Sequence, residues 1–122
     1  MNDIAELIDS HLAAYGEPDG VRRADAVRRI WTHEGQLVDP PLVARGHAQI
    51  VAQADALLAQ FPGHRFRRCS GVDAHHARAR YAWTLLDPAG REVLQGIDFA
   101  QLDDGGRLLQ VTGFFGPLPA RD

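Results

Sequence analysis

Two carboxylates stand out by position. Asp39 closes the apolar piece Gln36-Leu37-Val38 just before Pro40-Pro41, where an aspartate is either an ordinary turn former or an acid set at the end of a strand. Asp98 lies in the middle of Val93-Leu94-Gln95-Gly96-Ile97-Asp98-Phe99-Ala100, a place where Asp has poor strand propensity. Alternation points it either to solvent or inward with Leu94, Gly96, Ala100 and Leu102. The apolar company favours inward, and Gly96 beside it leaves room for a ligand or another backbone. A buried carboxyl must find partners or keep its proton, because desolvation raises its pKa. Such a group in a cavity is a candidate for acid–base chemistry. His11 is the third candidate: it lies i+3 from Ile8 and i+4 from Leu7, so a titratable ring faces the same way as the apolar stripe of the first helix.

Other reactive residues carry weaker patterns. Cys69 stands between Arg68 and Ser70 with no assignable base, which reads as a passive, partly buried thiol. His75-His76 are adjacent beside Asp73 and suit a solvated hairpin better than a metal cage, while His33, His47 and His64 fit helix ends and loops. Nucleophile-elbow, Walker, dinucleotide-binding and HExxH patterns are absent, and neither metal nor cofactor is expected.

The elements that must position these groups follow from periodicity. Asp3 with Glu6 suits the start of a first helix that buries Ile4, Leu7, Ile8, Leu12 and Tyr15. Asp19 suits the cap of a second helix with Val21, Ala24, Val27, Ile30 and Trp31 inward and Arg22, Arg23, Arg28 and Arg29 on a solvated face. A short strand ends at Asp39-Pro40-Pro41, since two prolines forbid helix and confine any strand to an edge or an end. Gly46 opens a third helix with Ile50, Ala54, Leu57, Leu58 and Phe61 on one face, ended by Pro62-Gly63. Thereafter the period is two: strands are expected over 64–72, 77–86, 92–102 and 107–115, with turns at 73–76, 87–90 and 103–106. Short connections demand antiparallel neighbours. Helices grouped ahead of strands indicate an α+β domain whose helices cover one sheet face.

Composition sets the class. With 122 residues, 45% hydrophobic and 24% charged, the chain has the size of one domain spanning 1–122, and disorder is excluded. A net charge of −3 argues against nucleic acid as a partner. One cysteine excludes an intramolecular disulfide. No run is long and apolar enough for a membrane span, and Met1-Asn2-Asp3 does not open a signal peptide, so a cytoplasmic protein without membrane partners is expected. Every basic residue is Arg and none is Lys, in an Ala-rich chain, which fits a GC-rich bacterial coding bias.

Three helices, the strand ending Val38-Asp39-Pro40, the Arg45-Gly46 helix start and the stretch from Gly96-Ile97-Asp98-Phe99 to Phe114-Phe115 together resemble the nuclear transport factor 2-like superfamily. Within it the chain is most similar to the SnoaL-like polyketide cyclase and ketosteroid isomerase branch, over residues 3–116. The resemblance implies a cone-shaped roll: a curved mixed or antiparallel sheet around three N-terminal helices, with an internal apolar pocket, commonly in a homodimer. It implies that Asp39 is the general base and Asp98 a protonated acid in an oxyanion hole, as in the ketosteroid isomerase that serves as a general example of a carboxylic acid kept neutral. The family's oxyanion tyrosine aligns with His11, with Tyr15 one turn further on. Tyr15, Trp31, Leu37, Phe61, Tyr81, Trp83, Val111 and Phe115 are the expected pocket walls, suited to a flat hydrophobic ligand.

Two functions compete. One is an isomerase or cyclase using Asp39, Asp98 and His11 for proton transfer near a carbonyl. The other is a non-catalytic ligand-binding or dimerisation module, since one fold serves many functions. A limonene-type epoxide hydrolase needs an Asp-Arg-Asp group, which Arg78 or Arg80 supplies only if the strand faces are reversed. Burial discriminates: an enzyme needs both carboxyls and His11 converging on one water-poor cavity.

Overall fold

The computed structural model describes residues 4–122, so the expected Asp3 cap lies outside the described residues. Helix α1 (Ile4–Ala14) buries Ile8, His11, Leu12 and Ala14, the face expected from spacing. Helix α2 (Gly20–Ile30) is capped by Asp19, whose Oδ1 accepts from the Val21 and Arg22 amides at 2.9 and 3.1 Å. Two α2 residues exchange their expected places: Val21 is 74% exposed, whereas Arg23 is buried. Arg23 stands i−4 from Val27 and i−7 from Ile30, on the inward stripe. It donates through Nε to Asp55 Oδ1 at 2.9 Å and through NH1 to the Glu17 carbonyl, tying the helix start to its neighbour. Trp31, expected at the end of this helix, is the first residue of a strand and has no solvent exposure.

That strand, β1 (Trp31–Asp39), turns at Pro40-Pro41 into β2 (Leu42–Arg45), so one expected strand is a hairpin with Asp39 opposite Leu42. The prolines occupy the turn, where no ladder amide is needed. Helix α3 (Gly46–Gln60) buries Ile50 and Ala54. The expected strand over 64–72 is shorter, β3 (Arg65–Arg68), and the expected turn at 73–76 is itself part of a strand, β4 (Asp73–His75). It pairs with β5 (Arg78–Leu86) through a two-residue loop in which His76 and Ala77 both have positive φ, 51° and 60°. That geometry matches the right-handed twist of a hairpin. Strands β6 (Glu92–Leu102) and β7 (Leu108–Phe115) follow at the expected places.

The sheet is curved, mixed and unclosed, with seven strands in the order β2-β1-β7-β6-β5-β3 and β4 beside β5. All pairs are antiparallel except β1 with β7. Alternation sends Tyr81 and Trp83 of β5, Asp98 and Ala100 of β6 and Val111 of β7 inward beneath the helices. Arg78 and Arg80 point the other way, and Arg80 donates to Asp73 at 2.8 Å on the surface, so neither supplies a cation to the interior. No described helix is long and apolar enough to cross a membrane.

Candidate active site

Between the helices and the inner sheet face lies a cavity of about 680 Å³, within the range of about 300–1,000 Å³ usual for small-molecule sites. His11, Asp39 and Asp98 all line it. The two acids come from strands on either side of β7. Asp98 is the cross-strand partner of Gly113, and Asp39 follows Val38, which pairs with Thr112. Gly113 is what lets them converge. A Cβ there would stand 2.3 Å from Asp39 Oδ1 and 3.0 Å from Asp98 Oδ1. The two oxygens are therefore no further apart than those distances laid end to end.

The two environments differ. Asp98 is almost wholly buried, 5% exposed, and each oxygen has a donor: Tyr81 Oη at 2.8 Å on Oδ2 and Trp83 Nε1 at 2.9 Å on Oδ1. Burial raises its pKa, the two donors lower it and the Asp39 charge raises it, leaving it at about 6. Asp39 has no hydrogen-bond donor among the described residues, and burial alone lifts it to about 6. Two carboxyls so close release their protons as a pair. A doubly accepting Asp98 also differs from the neutral donor that the resemblance implies, since both of its donors favour the ionised form.

A row of rings forms one wall. His11 meets Tyr15 edge-on at 5.4 Å between centroids, Tyr15 meets Phe66 at 6.1 Å, Phe66 meets Trp83 at 5.2 Å, and Trp83 meets Phe115 at 5.7 Å. Burial lowers the His11 pKa to about 4, so the ring is neutral near pH 7, and its Nδ1 has no partner. The Tyr15 hydroxyl is likewise buried without a partner. Burial, with the Asp39 and Asp98 charges nearby, raises its pKa well above 10, so it remains a proton donor in hydrogen bonds.

Of the expected walls, Tyr15, Leu37, Phe61, Trp83 and Phe115 line the cavity, whereas Trp31, Tyr81 and Val111 do not. These three point inward but are covered by their neighbours. Trp31 stands edge-on to His11 at 5.5 Å, Tyr81 lies behind Asp98 as its donor, and Val111 is fully buried between Leu37 and Ala100. Spacing did not reveal the opposite wall. Gln49, Ala52, Gln53, Ala56 and Gln60 present a second face of α3 to the cavity. A usable signal existed: between residues 46 and 60 the only acid or base besides His47 is Asp55, an unusual neutrality for a surface helix. Gly113, isolated within a strand, was the other unused signal.

Solved structures place this arrangement among known folds. A candidate isomerase of the SnoaL-like family from Agrobacterium tumefaciens str. C58 is 32% identical, matching 96% of this chain and 100% of its own with a TM-score of 0.89. A candidate SnoaL-like polyketide cyclase from Jannaschia sp. CCS1 is 17% identical over 94% of this chain and 89% of its own, TM-score 0.68. A SnoaL-like protein from Burkholderia thailandensis E264 is 12% identical over 96% and 98%, TM-score 0.73. No protein-family model and no curated protein matches the chain. The identity and full-length coverage of the first comparison, on a helix-covered curved sheet with an internal cavity, establish that this chain belongs to the SnoaL-like branch of the nuclear transport factor 2-like superfamily.

Proposed function

We propose that this protein is an isomerase- or cyclase-type enzyme that moves a proton on a hydrophobic carbonyl compound. The observation that carries the reading is the convergence of Asp39 and Asp98 across Gly113 in an apolar cavity, beside the unpartnered Tyr15 hydroxyl. Asp39, with no donor among the described residues, acts as base and takes the proton from the carbon next to the carbonyl. The electron pair of that bond passes to the carbonyl oxygen, which accepts a hydrogen bond from neutral His11. Asp39 then returns the proton to carbon, giving an isomer, or the enolate carbon attacks a second carbonyl and closes a ring, the new alkoxide taking the proton. Asp98, held by Tyr81 and Trp83, fixes the second carboxyl of the site beside Asp39 across Gly113.

Deuterium exchange from heavy water into a panel of enolisable ketones tests this. Asp39 acts only when ionised, so kcat/KM should rise tenfold per pH unit below about 6 and level above it. His11 adds no limb above about pH 4, and Tyr15 none up to about pH 9, because their pKa values are lowered and raised away from that range. Exchange without an acid limb, or ligand binding with no exchange at all, favours the non-catalytic ligand-binding module instead.

The family's homodimer has a candidate surface here. On the outer sheet face Phe114, 65% exposed, lies directly across from Ile97, 47% exposed, with Phe99 two residues on at 42%. A second copy of the chain on this apolar row buries what one copy leaves in water. Sedimentation should give twice the chain mass for wild type and the single-chain mass for Phe114→Arg. A monomeric wild type rejects the assignment.

A further inference from the structure

Helix α1 carries His11, yet it meets the sheet mainly through one short edge strand, β3. Contacts run along that line in antiparallel order. A Cβ on Gly16 would stand 3.0 Å from the Arg65 Cβ, so the end of the helix almost touches the start of the strand. Tyr15 meets the Phe66 ring edge-on. At the other end Arg68 grips Asp9, two residues before His11. Its Nε donates to Asp9 Oδ1 at 2.8 Å and its Nη2 to Oδ2 at 3.0 Å. That two-pronged geometry gives an ion pair direction as well as attraction. Nη1 donates to the Ser70 carbonyl oxygen at 2.6 Å, which fixes the plane of the guanidinium.

The backbone around Arg68 is tied in turn to the segment that holds Asp98. Arg68 is the cross-strand partner of Trp83. The Cys69 amide donates to the Ala82 carbonyl oxygen at 2.9 Å, and the Ser70 hydroxyl oxygen accepts the Ala82 amide at 2.8 Å. Ala82 lies between Tyr81 and Trp83, the two donors to Asp98. One arginine thus joins the helix that bears His11 to the strand that fixes Asp98.

We propose that Arg68 is a positioning residue: through Asp9 it sets how deeply α1 sits, and so keeps the His11 ring dry and turned to the cavity that holds the two acids. Its value for catalysis rests on the proton-transfer reading, but its control of His11 does not. The pair is partly open to solvent, and such pairs add little to stability by attraction alone. Removing it therefore loosens the helix and leaves the fold standing.

Titration of His11 by proton NMR tests this, with its signal identified by its loss in His11→Gln. Burial holds the wild-type ring at about 4. Asp9→Asn and Arg68→Met should each raise its proton affinity about tenfold, toward the ordinary 6.5, as water reaches the ring. The two substitutions remove opposite charges, so a purely electrostatic influence would move the ring in opposite directions. A merely structural pair would lower Tm and leave the ring at about 4. Asp39, Asp98 and Tyr15, which line the cavity with His11, are the same in every variant. Exchanging the pair, Asp9→Arg with Arg68→Asp, should bring the ring back toward its wild-type value. In ketone exchange, kcat should fall about tenfold in each single variant with KM little changed, and recover in the exchanged pair. Unmoved titrations, shifts of opposite sign, or no recovery in the exchanged pair overturn the inference, whatever the exchange rates. Both shifts upward with no exchange even in wild type sink only the proton-transfer reading.

Discussion

Asp39→Asn should lower deuterium exchange by about 10²–10⁴-fold, the usual contribution of one positioned proton-transfer group, and should at the same time make the protein more stable at neutral pH. Both effects come from one environment. Asp39 is held at about 6 by burial, against 3.8 ordinarily, and no donor among the described residues faces it. The folded state therefore binds this proton more tightly than the unfolded chain, and stability falls as pH rises from about 4 through 6. Asparagine escapes that loss. Its advantage is absent below about pH 4 and grows to at most about 3 kcal/mol above pH 6. Asp98→Asn should gain less stability at neutral pH, although burial raises its carboxyl to about 6 as well. Tyr81 and Trp83 both donate to this carboxyl, and an amide has a single acceptor oxygen, so one donor must face an NH₂ group. Thermal unfolding at pH 4 and 7 with exchange rates on both variants checks the pair. An Asp39→Asn protein that keeps full exchange, or loses stability at pH 7, would remove Asp39 from the role of base.

The inward turn of Asp98 was legible because a strand has a strict period of two, and an acid among Leu94, Gly96 and Ala100 cannot face water without exposing them. His11 was legible for the corresponding helical reason. What spacing could not reach depends on partners distant in the chain. Gly113 bridges the acids only because β1 pairs in parallel with β7, joining Leu37 to Val111, and no local signal announces that pairing. Tyr81 and Val111 illustrate the limit of an inward assignment. Alternation gives the face, but whether a residue on that face lines a void or lies behind one depends on what packs over it. Helix α3 shows the same limit from the other side. It has two working faces, one burying Ile50 and Ala54 and one carrying glutamines into the cavity, and a search for a single apolar stripe finds only the first. Arg23 and Val21 exchanged places because the Asp55 carboxylate, 32 residues away, receives the guanidinium.

Gly96→Ala should be among the most damaging single-methyl changes available to this chain. Trp83 is the cross-strand partner of Gly96, and its indole lies against that backbone on its way to Asp98. A Cβ at position 96 would stand 2.1 Å from Trp83 Cζ2, 2.5 Å from Cε2 and 2.7 Å from the Phe114 carbonyl oxygen. The carbonyl belongs to the sheet ladder and cannot retreat, so the indole must. A tilted indole leaves Asp98 Oδ1 without its 2.9 Å donor and disturbs the edge-on contacts with Phe66 and Phe115. Overpacking and one lost charge-assisted hydrogen bond together cost about 2–4 kcal/mol, a fall in Tm of roughly 10 °C for a chain of this size. Gly71→Ala is the matched control, since a Cβ there meets nothing within 4 Å. Trp83 and Trp31 are the only tryptophans, and Trp31 lies outside the cavity, so a shift in emission in Gly96→Ala alone reports the displaced indole. An unchanged Tm with unchanged emission would mean that Trp83 is not held against Gly96, and the account of how Asp98 is fixed would go with it.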